Sequence, residues 1–285
     1  MRNDPKHPVV DAEHGAITLS HVAAMPNESY ASHNTAQIAQ QFSQAANKYQ
    51  CHDVLQRLTA QKLLDEMTPL GRLLDIGCGP GTDFNRANIE SVIALDIAQG
   101  MLTRMGQTFA DYTPLCADAS ALPLVDGSIN TVYSNLALQW CVDLGAVIDE
   151  IARVLCVDGE CHLAIVTDGS LSQLQHLGFR VNEFKQADEI MGYFSAAAWQ
   201  IECQQLQSMT VHFEQLKDLL YSIKGVGASV KSLSDSDDSG IEHRSAKLRG
   251  RQDWLAMQQK AEFMREPAGL PLTYEILFIR AKLKG

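Results

Sequence analysis

Between residues 71 and 166 the chain alternates short apolar runs with segments whose apolar residues recur at helical spacing. A parallel strand that is covered on both faces reads as a continuous apolar stretch, so these runs are strand candidates. The alternation predicts an α/β fold with a Rossmann-like, mostly parallel sheet. The predicted strands cover residues 73–76, 91–95, 113–116, 131–134 and 161–166, and a helix is predicted over 144–155.

Both ends of the chain differ from this core. Residues 1–33 show no hydrophobic period and predict a flexible extension. Helical spacing predicts two helices, over residues 34–49 and 55–67. Residues 170–268 predict a helical cap, with helices interrupted by loops up to residue 230 and a polar loop at 231–242. Residues 270–285 predict a closing antiparallel strand, which gives one domain over residues 34–285.

The first predicted strand runs into a turn with glycine at every second position, Gly77, Gly79 and Gly81. Glycine adopts left-handed backbone angles and lets the chain approach a ligand closely. We interpret the turn as the first strand–helix connection of a nucleotide-binding sheet, and we expect a helix after it. Asp75 precedes a loop that contains no Lys or Arg, so a cationic ligand fits better than a phosphate. S-adenosylmethionine, with its ammonium and sulfonium, is such a ligand.

Polar residues also follow the carboxyl ends of the predicted strands, where open α/β sheets bind their ligands. Asp96 lies about twenty residues beyond the glycine loop, where a carboxylate can accept both hydroxyls of a ribose. Residues 71–166 are therefore the predicted cofactor-binding core. The residues predicted to bind the cofactor are Asp75, Gly77, Cys78, Gly79, Asp96, Ile97, Met101, Asp118, Ala119 and Asn135.

Composition narrows the class of protein. A formal net charge of -11 and a pI near 5.2 argue against a nucleic-acid partner bound through general basicity. The seven cysteines form no CxxC pair, and the nine histidines show no metal-ligand spacing. We therefore expect reduced thiols and no metal site. The sequence shows no secretory signal and no apolar run long enough to cross a bilayer, so we expect a cytoplasmic protein.

The order of glycine loop, ribose acid, Asp118-Ala119 and Asn135 resembles the class I S-adenosylmethionine-dependent methyltransferases. Four further blocks, at residues 42–49, 134–141, 222–228 and 270–274, resemble the malonyl-acyl carrier protein O-methyltransferases of biotin synthesis. They read FSQAANKY, SNLALQWC, SIKGVGA and LPLTY. The likeness covers nearly everything after the N-terminal extension.

This resemblance implies methylation of the free carboxylate of a malonyl thioester, carried on acyl carrier protein or on coenzyme A, to a methyl ester that primes pimeloyl synthesis. A carboxylate is already ionised at neutral pH, so we expect no acid–base residue. The enzyme would act by holding the reactants in line and excluding water. The family-specific blocks contain the candidate substrate-positioning residues Tyr49, Gln139, Trp140 and Lys224.

An acidic carrier would need a local positive surface on this acidic enzyme. The densest basic cluster is formed by Arg244, Lys247, Arg249 and Arg251. Three other interpretations remain: the same fold acting on another small carboxylic acid or a quinone-type ring, an NAD-binding oxidoreductase, and a degenerate cofactor-binding module. Methylation of a ring would call for a base near Gln139, where none is recognised.

Two features depart from the family pattern. Ala98 stands where many superfamily members have a serine that caps the next helix. The cap around residues 178–183 is shorter than in the family, between the turn at 169–171 and residues 182–184. The shorter cap leaves the substrate contacts of this region open.

Overall fold

The computed structural model describes residues 36, 39–40, 42–43, 53–179, 181–225 and 251–285. Its strands are β1 (Gly71–Ile76), β2 (Ile89–Asp96), β3 (Thr113–Cys116), β4 (Ile129–Asn135), β5 (Leu155–Thr167), β6 (Trp199–Phe213) and β7 (Leu270–Leu283). Its helices are α1 (Val54–Glu66), α2 (Gln99–Thr108), α3 (Leu144–Val154), α4 (Ser172–His176), α5 (Ala187–Gly192), α6 (Leu216–Gly225) and α7 (Arg251–Glu262).

All these strands join one seven-stranded sheet in the order β3-β2-β1-β4-β5-β7-β6. The strands β1 to β5 pair in parallel, and β7 runs antiparallel to both of its neighbours. The order reverses between β1 and β4, and this is the point at which open α/β sheets bind their ligands. The predicted parallel sheet with an antiparallel closing strand is confirmed.

The central strands are buried on both faces, which explains their continuous apolar character. In β1, Leu73 and Leu74 point to opposite faces, and both are fully buried. One face packs against α3, which buries Val147 and Ile151, and the other packs against α1 through Leu63. This double cover fixes the register of the central strands and hence the positions of the residues at their carboxyl ends.

The prediction of a helix directly after the glycine loop is wrong. Residues 82–88 form a loop and one 3-10 turn, Arg86–Asn88, which the Asn85 side chain caps by accepting the N–H of Ala87 at 3.1 Å. The connection is too short for an α-helix, because β2 begins at Ile89 and Phe84 must stay in the core. The Phe84 ring is buried edge-on against Tyr133, with ring centroids 5.1 Å apart.

The prediction of a purely helical cap over residues 170–268 is also wrong in its centre. Residues 199–213 form strand β6, which pairs with β7 along its whole length. The strand lies at the edge of the sheet, so much of its surface is exposed and its Gln and Glu residues need no burial. Its alternation is visible only where Met209 and Val211 turn inward. The rest of the predicted cap, where it is described, contains α4 to α7.

Within the described part of the chain, no helix is long and apolar enough to cross a membrane. Residues 1–33, predicted to be a flexible extension, lie outside the described residues, as does the polar loop at 231–242.

Candidate active site

The glycine loop is tied to the end of the neighbouring strand by two backbone hydrogen bonds. The N–H groups of Gly77 and Cys78 both donate to the carbonyl oxygen of Leu95, at 2.8 and 2.9 Å. Gly77 has a φ of 68°, and a Cβ built on it would lie 2.2 Å from the Cβ of Ala137. Only glycine fits there. Gly79 also has a positive φ, but a Cβ on it would meet no atom within 4 Å, so there is room beside this backbone.

The Gly77→Ala variant should lose about 3 kcal/mol or more of unfolding free energy, because it combines left-handed strain with a collision in the core. Gly106→Ala is the matched control, since a Cβ at this helical position meets nothing within 4 Å. It should gain about 0.5–1 kcal/mol. Denaturant titration of both variants measures the difference, and equal stabilities would contradict this account of the loop.

Asp96, at the end of β2, holds two backbone segments together. Its Oδ2 accepts the N–H of Gly79 at 2.9 Å, and its Oδ1 accepts the N–H of Ala98 at 2.7 Å. Burial raises the pKa of Asp96, and these N–H groups act in the opposite direction. A carboxylate has about four lone-pair sites, so two remain for a diol such as a ribose.

Asp75, near the end of β1, is a buried carboxyl whose negative charge has little local support. It is 1% exposed, and its Oδ2 has no hydrogen-bond partner within the described ranges. Burial, followed by repulsion from Asp96, raises its pKa to about 8, although a hydrogen bond from Thr82 opposes the shift. A bound cation beside Asp75 would restore its ionised form.

Further acceptors near Asn135, at the end of β4, also lack donors. The Asn135 Nδ2 donates to the carbonyl of Gln56 in α1 at 2.9 Å, and the Gln139 Nε2 donates to the carbonyl of Leu136 at 2.6 Å. The side-chain oxygens of Asn135, Gln139 and Gln56 are buried without a partner among the residues described. Buried acceptors without donors are costly, and an ammonium ligand brings three N–H groups.

A cavity of about 550 Å³ opens at the carboxyl ends of the strands, and of the acceptors without donors Asn135 lines it, whereas Asp75, Gln56 and Gln139 do not. This volume is typical of a site for a small organic ligand. One side is apolar, with Leu95, Met101 and Leu138 in its wall. The polar group on this side is Asp118, whose Oδ1 accepts the N–H of Ser120 at 2.9 Å and its hydroxyl at 2.8 Å. The cavity therefore offers an apolar slot with a carboxylate at its edge, which fits a purine base.

The structure brings most of the predicted cofactor residues to this cavity. Those that line it are Gly77, Gly79, Asp96, Ile97, Met101, Asp118, Ala119 and Asn135. Asp75 is not part of the lining, although repulsion from Asp96 contributes to its raised pKa. Cys78 is placed elsewhere, because its side chain packs in the core and burial raises the pKa of its thiol well above the usual value. Any contact of Cys78 with a ligand would have to be made by its backbone.

An aromatic wall closes one side of the cavity. Trp140 lines it and packs edge-on against Phe42 of the N-terminal segment, with ring centroids 5.8 Å apart. On its other side Trp140 meets Phe184 at 6.5 Å. Ala36 and Ala39 extend the wall formed by the N-terminal segment. This wall shields the cavity from water.

Ser43 supplies the helix cap that Ala98 cannot provide. Ala98 makes no side-chain capping bond to α2, but the Ser43 hydroxyl accepts the N–H of Gly100 at 3.3 Å. A Cβ on Gly100 would lie 2.9 Å from the carbonyl oxygen of Ser43. The N-terminal segment therefore docks on the first turn of α2, next to the predicted ribose-binding acid.

The Gly100→Ala variant should weaken cofactor binding about tenfold, because the added methyl group pushes the segment that carries Phe42 away from the cavity. Ser43→Ala removes only the hydroxyl cap and should cost about 1 kcal/mol of stability. Isothermal titration with S-adenosylmethionine measures the first effect, and Gly106→Ala again serves as the control. Wild-type affinity in Gly100→Ala would show that the segment does not shape the cavity.

The comparisons with known proteins agree with this geometry. A family model described as a methyltransferase domain matches residues 74–163. A Bacillus halodurans protein described as a methyltransferase superposes with a TM-score of 0.56 at 11% identity, over 79% of this chain and 99% of the other, which supports the fold alone. The malonyl-acyl carrier protein O-methyltransferase of Alcanivorax borkumensis is 34% identical over 260 residues, 87% of this chain and 86% of its own. The chain belongs to this methyltransferase family.

A second relative of this methyltransferase is a longer, bifunctional protein. The biotin biosynthesis bifunctional protein BioHC of Cellvibrio japonicus is 33% identical over 258 residues, which cover 85% of this chain and 49% of the relative. The similarity is thus confined to about half of that protein. The chain itself is an O-methyltransferase by its family.

Several residues predicted to act on the substrate of this methyltransferase lie outside the described part of the chain. Tyr49 lies outside the described residues, and so do Arg244, Lys247 and Arg249 of the predicted docking cluster. Arg251 begins α7, and Lys224 belongs to the last turn of α6. Their roles remain predictions.

Sequence reasoning missed three contributors to the methyltransferase site. The Gln56 carbonyl accepts the Asn135 amide, Ser43 caps α2, and Phe184 packs against Trp140. Phe42 and Ser43 did carry a signal, because both lie in the family-specific block at 42–49. Gln56 and Phe184 carried none, since their positions follow from packing between distant segments.

Proposed function

We propose that this enzyme transfers a methyl group from S-adenosylmethionine to the free carboxylate of a malonyl thioester on acyl carrier protein. The product is the malonyl methyl ester that primes pimeloyl synthesis for biotin. Membership of the malonyl-acyl carrier protein O-methyltransferase family carries this proposal. The cavity supports it independently, since the carboxylate of Asp96 and the unpaired oxygen of Asn135 in its lining fit a cationic, ribose-containing ligand.

In this proposal, the residues at the strand ends share the work of holding the cofactor. Asp96 accepts the ribose hydroxyls, and Asp118 lies beside the adenine. The Asn135 oxygen accepts the ammonium, and the buried Asp75, which does not line the cavity, compensates its charge. When bound, S-adenosylmethionine supplies an electrophilic methyl group on a sulfonium. The residues of the chain must meet every other requirement of the reaction.

The chain has to orient a carboxylate and exclude water, and it has no proton to move. The attacking oxygen is ionised at neutral pH, so the new oxygen–carbon bond forms as the sulfur–carbon bond breaks. Trp140 and Phe42 keep competing water from the methyl group. Tyr49, Gln139 and Lys224 are the proposed positioning residues for the malonyl group. No histidine of the described segments lines the cavity, which disfavours acceptors that need a base.

The Trp140→Ala variant should lower kcat/KM for the malonyl substrate about tenfold to a hundredfold, because it opens the reaction site to water and loosens the acceptor. Affinity for S-adenosylmethionine should fall no more than a few fold, and Trp140→Phe should recover most of the loss. Phe263→Ala is the control, since the Phe263 side chain is 91% exposed. A large loss of cofactor affinity with unchanged kcat would assign Trp140 to cofactor binding instead.

The function is tested by methyl transfer to malonyl-acyl carrier protein, malonyl-coenzyme A and free malonate, with mass detection of the methyl ester. We expect transfer to the carrier-bound substrate and little to the free acid. If malonyl-coenzyme A accepts the methyl group and malonyl-acyl carrier protein does not, the substrate is carried on coenzyme A. If neither thioester accepts a methyl group, the proposal is wrong, and other small carboxylic acids and quinone-type rings should then be assayed.

We also propose that the cluster Arg244, Lys247, Arg249 and Arg251 docks the acidic carrier. Reversing these four charges should raise KM for malonyl-acyl carrier protein at low salt and leave KM for malonyl-coenzyme A unchanged. Equal KM values for malonyl-acyl carrier protein in the wild type and the variant would show that the cluster does not dock the carrier.

A further inference from the structure

A second cavity, of about 540 Å³, lies beside the first at the carboxyl end of β5. One aromatic contact separates the two. Trp140 lines the first cavity, Phe184 lines the second, and their ring centroids are 6.5 Å apart in an edge arrangement. This contact joins the lining of the second cavity to the lining of the first.

Backbone hydrogen bonds hold the walls of this second cavity. The N–H of Asp168, just after β5, donates to the carbonyl of Lys185 at 2.9 Å. At the end of α4, Gly178 has a φ of 87°, and the N–H of Phe179 donates to the carbonyl of Leu174 at 2.9 Å. These contacts position the segment that the sequence marks as a shortened cap.

The lining combines amide and apolar side chains. The amides are Gln175, Asn182 and Gln186, and the apolar groups are Phe179, Val181 and Phe184. Primary amides donate and accept hydrogen bonds at once, so they suit a ligand that carries amide groups of its own. The apolar side chains suit the methylene and methyl groups between such amides.

The charged groups in the described lining of the second cavity are carboxylates. Asp168, Glu183 and Glu189 line it, and no Lys or Arg of the described residues does. Glu189 is paired with Lys185 and accepts the hydroxyl of Tyr193 at 3.2 Å. Asp168 and Glu183 are exposed and can accept amide N–H groups. A phosphate is disfavoured inside this space, and a neutral polyamide chain is not.

We propose that the second cavity binds the pantetheine arm of the thioester substrate, a neutral chain with two amides that ends in the thioester. This inference rests on the proposed function and extends it to the part of the substrate that carries the malonyl group. The arm would pass along Phe179 and the amides and deliver the malonyl group past Phe184 to Trp140. Its phosphate would stay outside, and carrier protein and coenzyme A share this chemistry up to that point.

Direct binding tests the cavity without any methyl transfer. Pantetheine itself should give saturation-transfer NMR signals with the wild-type enzyme. Those signals should be lost in Asn182→Trp, which fills the cavity, and kept in Gln204→Trp, an exposed amide on β6. Unchanged cofactor binding in Asn182→Trp shows that the variant is folded. The inference is overturned if the wild type gives no signal or if Asn182→Trp binds as well as the wild type.

Kinetics give the second test. In Asn182→Trp, kcat/KM should fall at least tenfold for malonyl-acyl carrier protein, malonyl-coenzyme A and malonyl-pantetheine. It should stay within about twofold for a malonyl alkyl thioester that carries no amide. Equal losses on all four substrates would contradict the assignment. A loss on the carrier substrate alone would also overturn it, because this would point to a protein contact. Absence of transfer to every thioester would refute the proposed function, while the pantetheine experiment still decides the cavity.

Discussion

Replacing Asp96 with alanine should weaken S-adenosylmethionine binding by at least about a hundredfold, the largest single effect that we expect at this site. The carboxylate accepts N–H groups from Gly79 and Ala98, so its loss unties the glycine loop from the end of β2. In the proposed complex it also removes both acceptors of the ribose hydroxyls. Asp83→Ala, at an exposed position in the connection before β2, is the matched control.

Asp96→Asn separates the loss of the second acceptor oxygen from the loss of side-chain size and burial. An amide has one oxygen, so one of the two N–H groups would face the NH₂ of the new side chain. Affinity should therefore fall nearly as far as in the alanine variant, although size and burial are kept. Isothermal titration gives the dissociation constants, and circular dichroism shows whether the fold is retained. An asparagine variant that binds as tightly as the wild type would refute the role of the two-oxygen acceptor.

Most of the cofactor side of this site could be predicted because it depends on local sequence. The turn at Gly77 and Gly79 needs positive φ angles, which the sequence reveals directly as glycines. The acids at Asp96 and Asp118 follow apolar strands, and the carboxyl ends of parallel strands meet at one edge. Cys78 and Asp75 are the exceptions, since neither lines the cavity. The position of Cys78 within the motif says nothing about the direction of its side chain, which lies in the core.

The features that could not be predicted depend on distant contacts. Strand β6 is polar because it is an edge strand, and pairing with β7 outweighs its weak alternation. The connection after the glycine loop lacks its helix because Phe84 is held by Tyr133 from another strand. The same holds for Ser43, which caps a helix that begins more than fifty residues later.

Asp75 should make cofactor binding release a proton, which is the other large effect that we expect. In the free enzyme burial and repulsion from Asp96 raise the pKa of Asp75 to about 8, so the group is protonated at neutral pH. An ammonium beside it favours the ionised form, and the displaced proton enters solution. At about pH 6.5, below the pKa of an α-amine, the ligand stays charged throughout. Titration in buffers of different ionisation enthalpy should then show release of nearly one proton per S-adenosylmethionine.

The Asp75→Asn variant should release no proton from this group and bind the cofactor at least about a hundredfold more weakly, since the ion pair is lost. Although it binds the cofactor more weakly, Asp75→Asn should have a higher free energy of unfolding than the wild type when no ligand is bound. The folded-state pKa of Asp75 lies above the unfolded value, so the native wild type binds more protons and loses stability as pH rises from about 4 to about 8, by up to about 1.4 kcal/mol per pH unit. The neutral asparagine escapes this penalty.

Thermal melts should therefore diverge with pH in the absence of ligand. Asp75→Asn should match the wild type near pH 4 and exceed it near pH 8, while S-adenosylmethionine should raise the Tm of the wild type alone. A variant that is less stable than the wild type at both pH values would mean that Asp75 is ionised and paired in the free protein. Weaker cofactor binding together with higher ligand-free stability in Asp75→Asn would show that Asp75 serves ligand binding and not the fold. Only a carboxyl that serves ligand binding destabilises the protein until a cation binds.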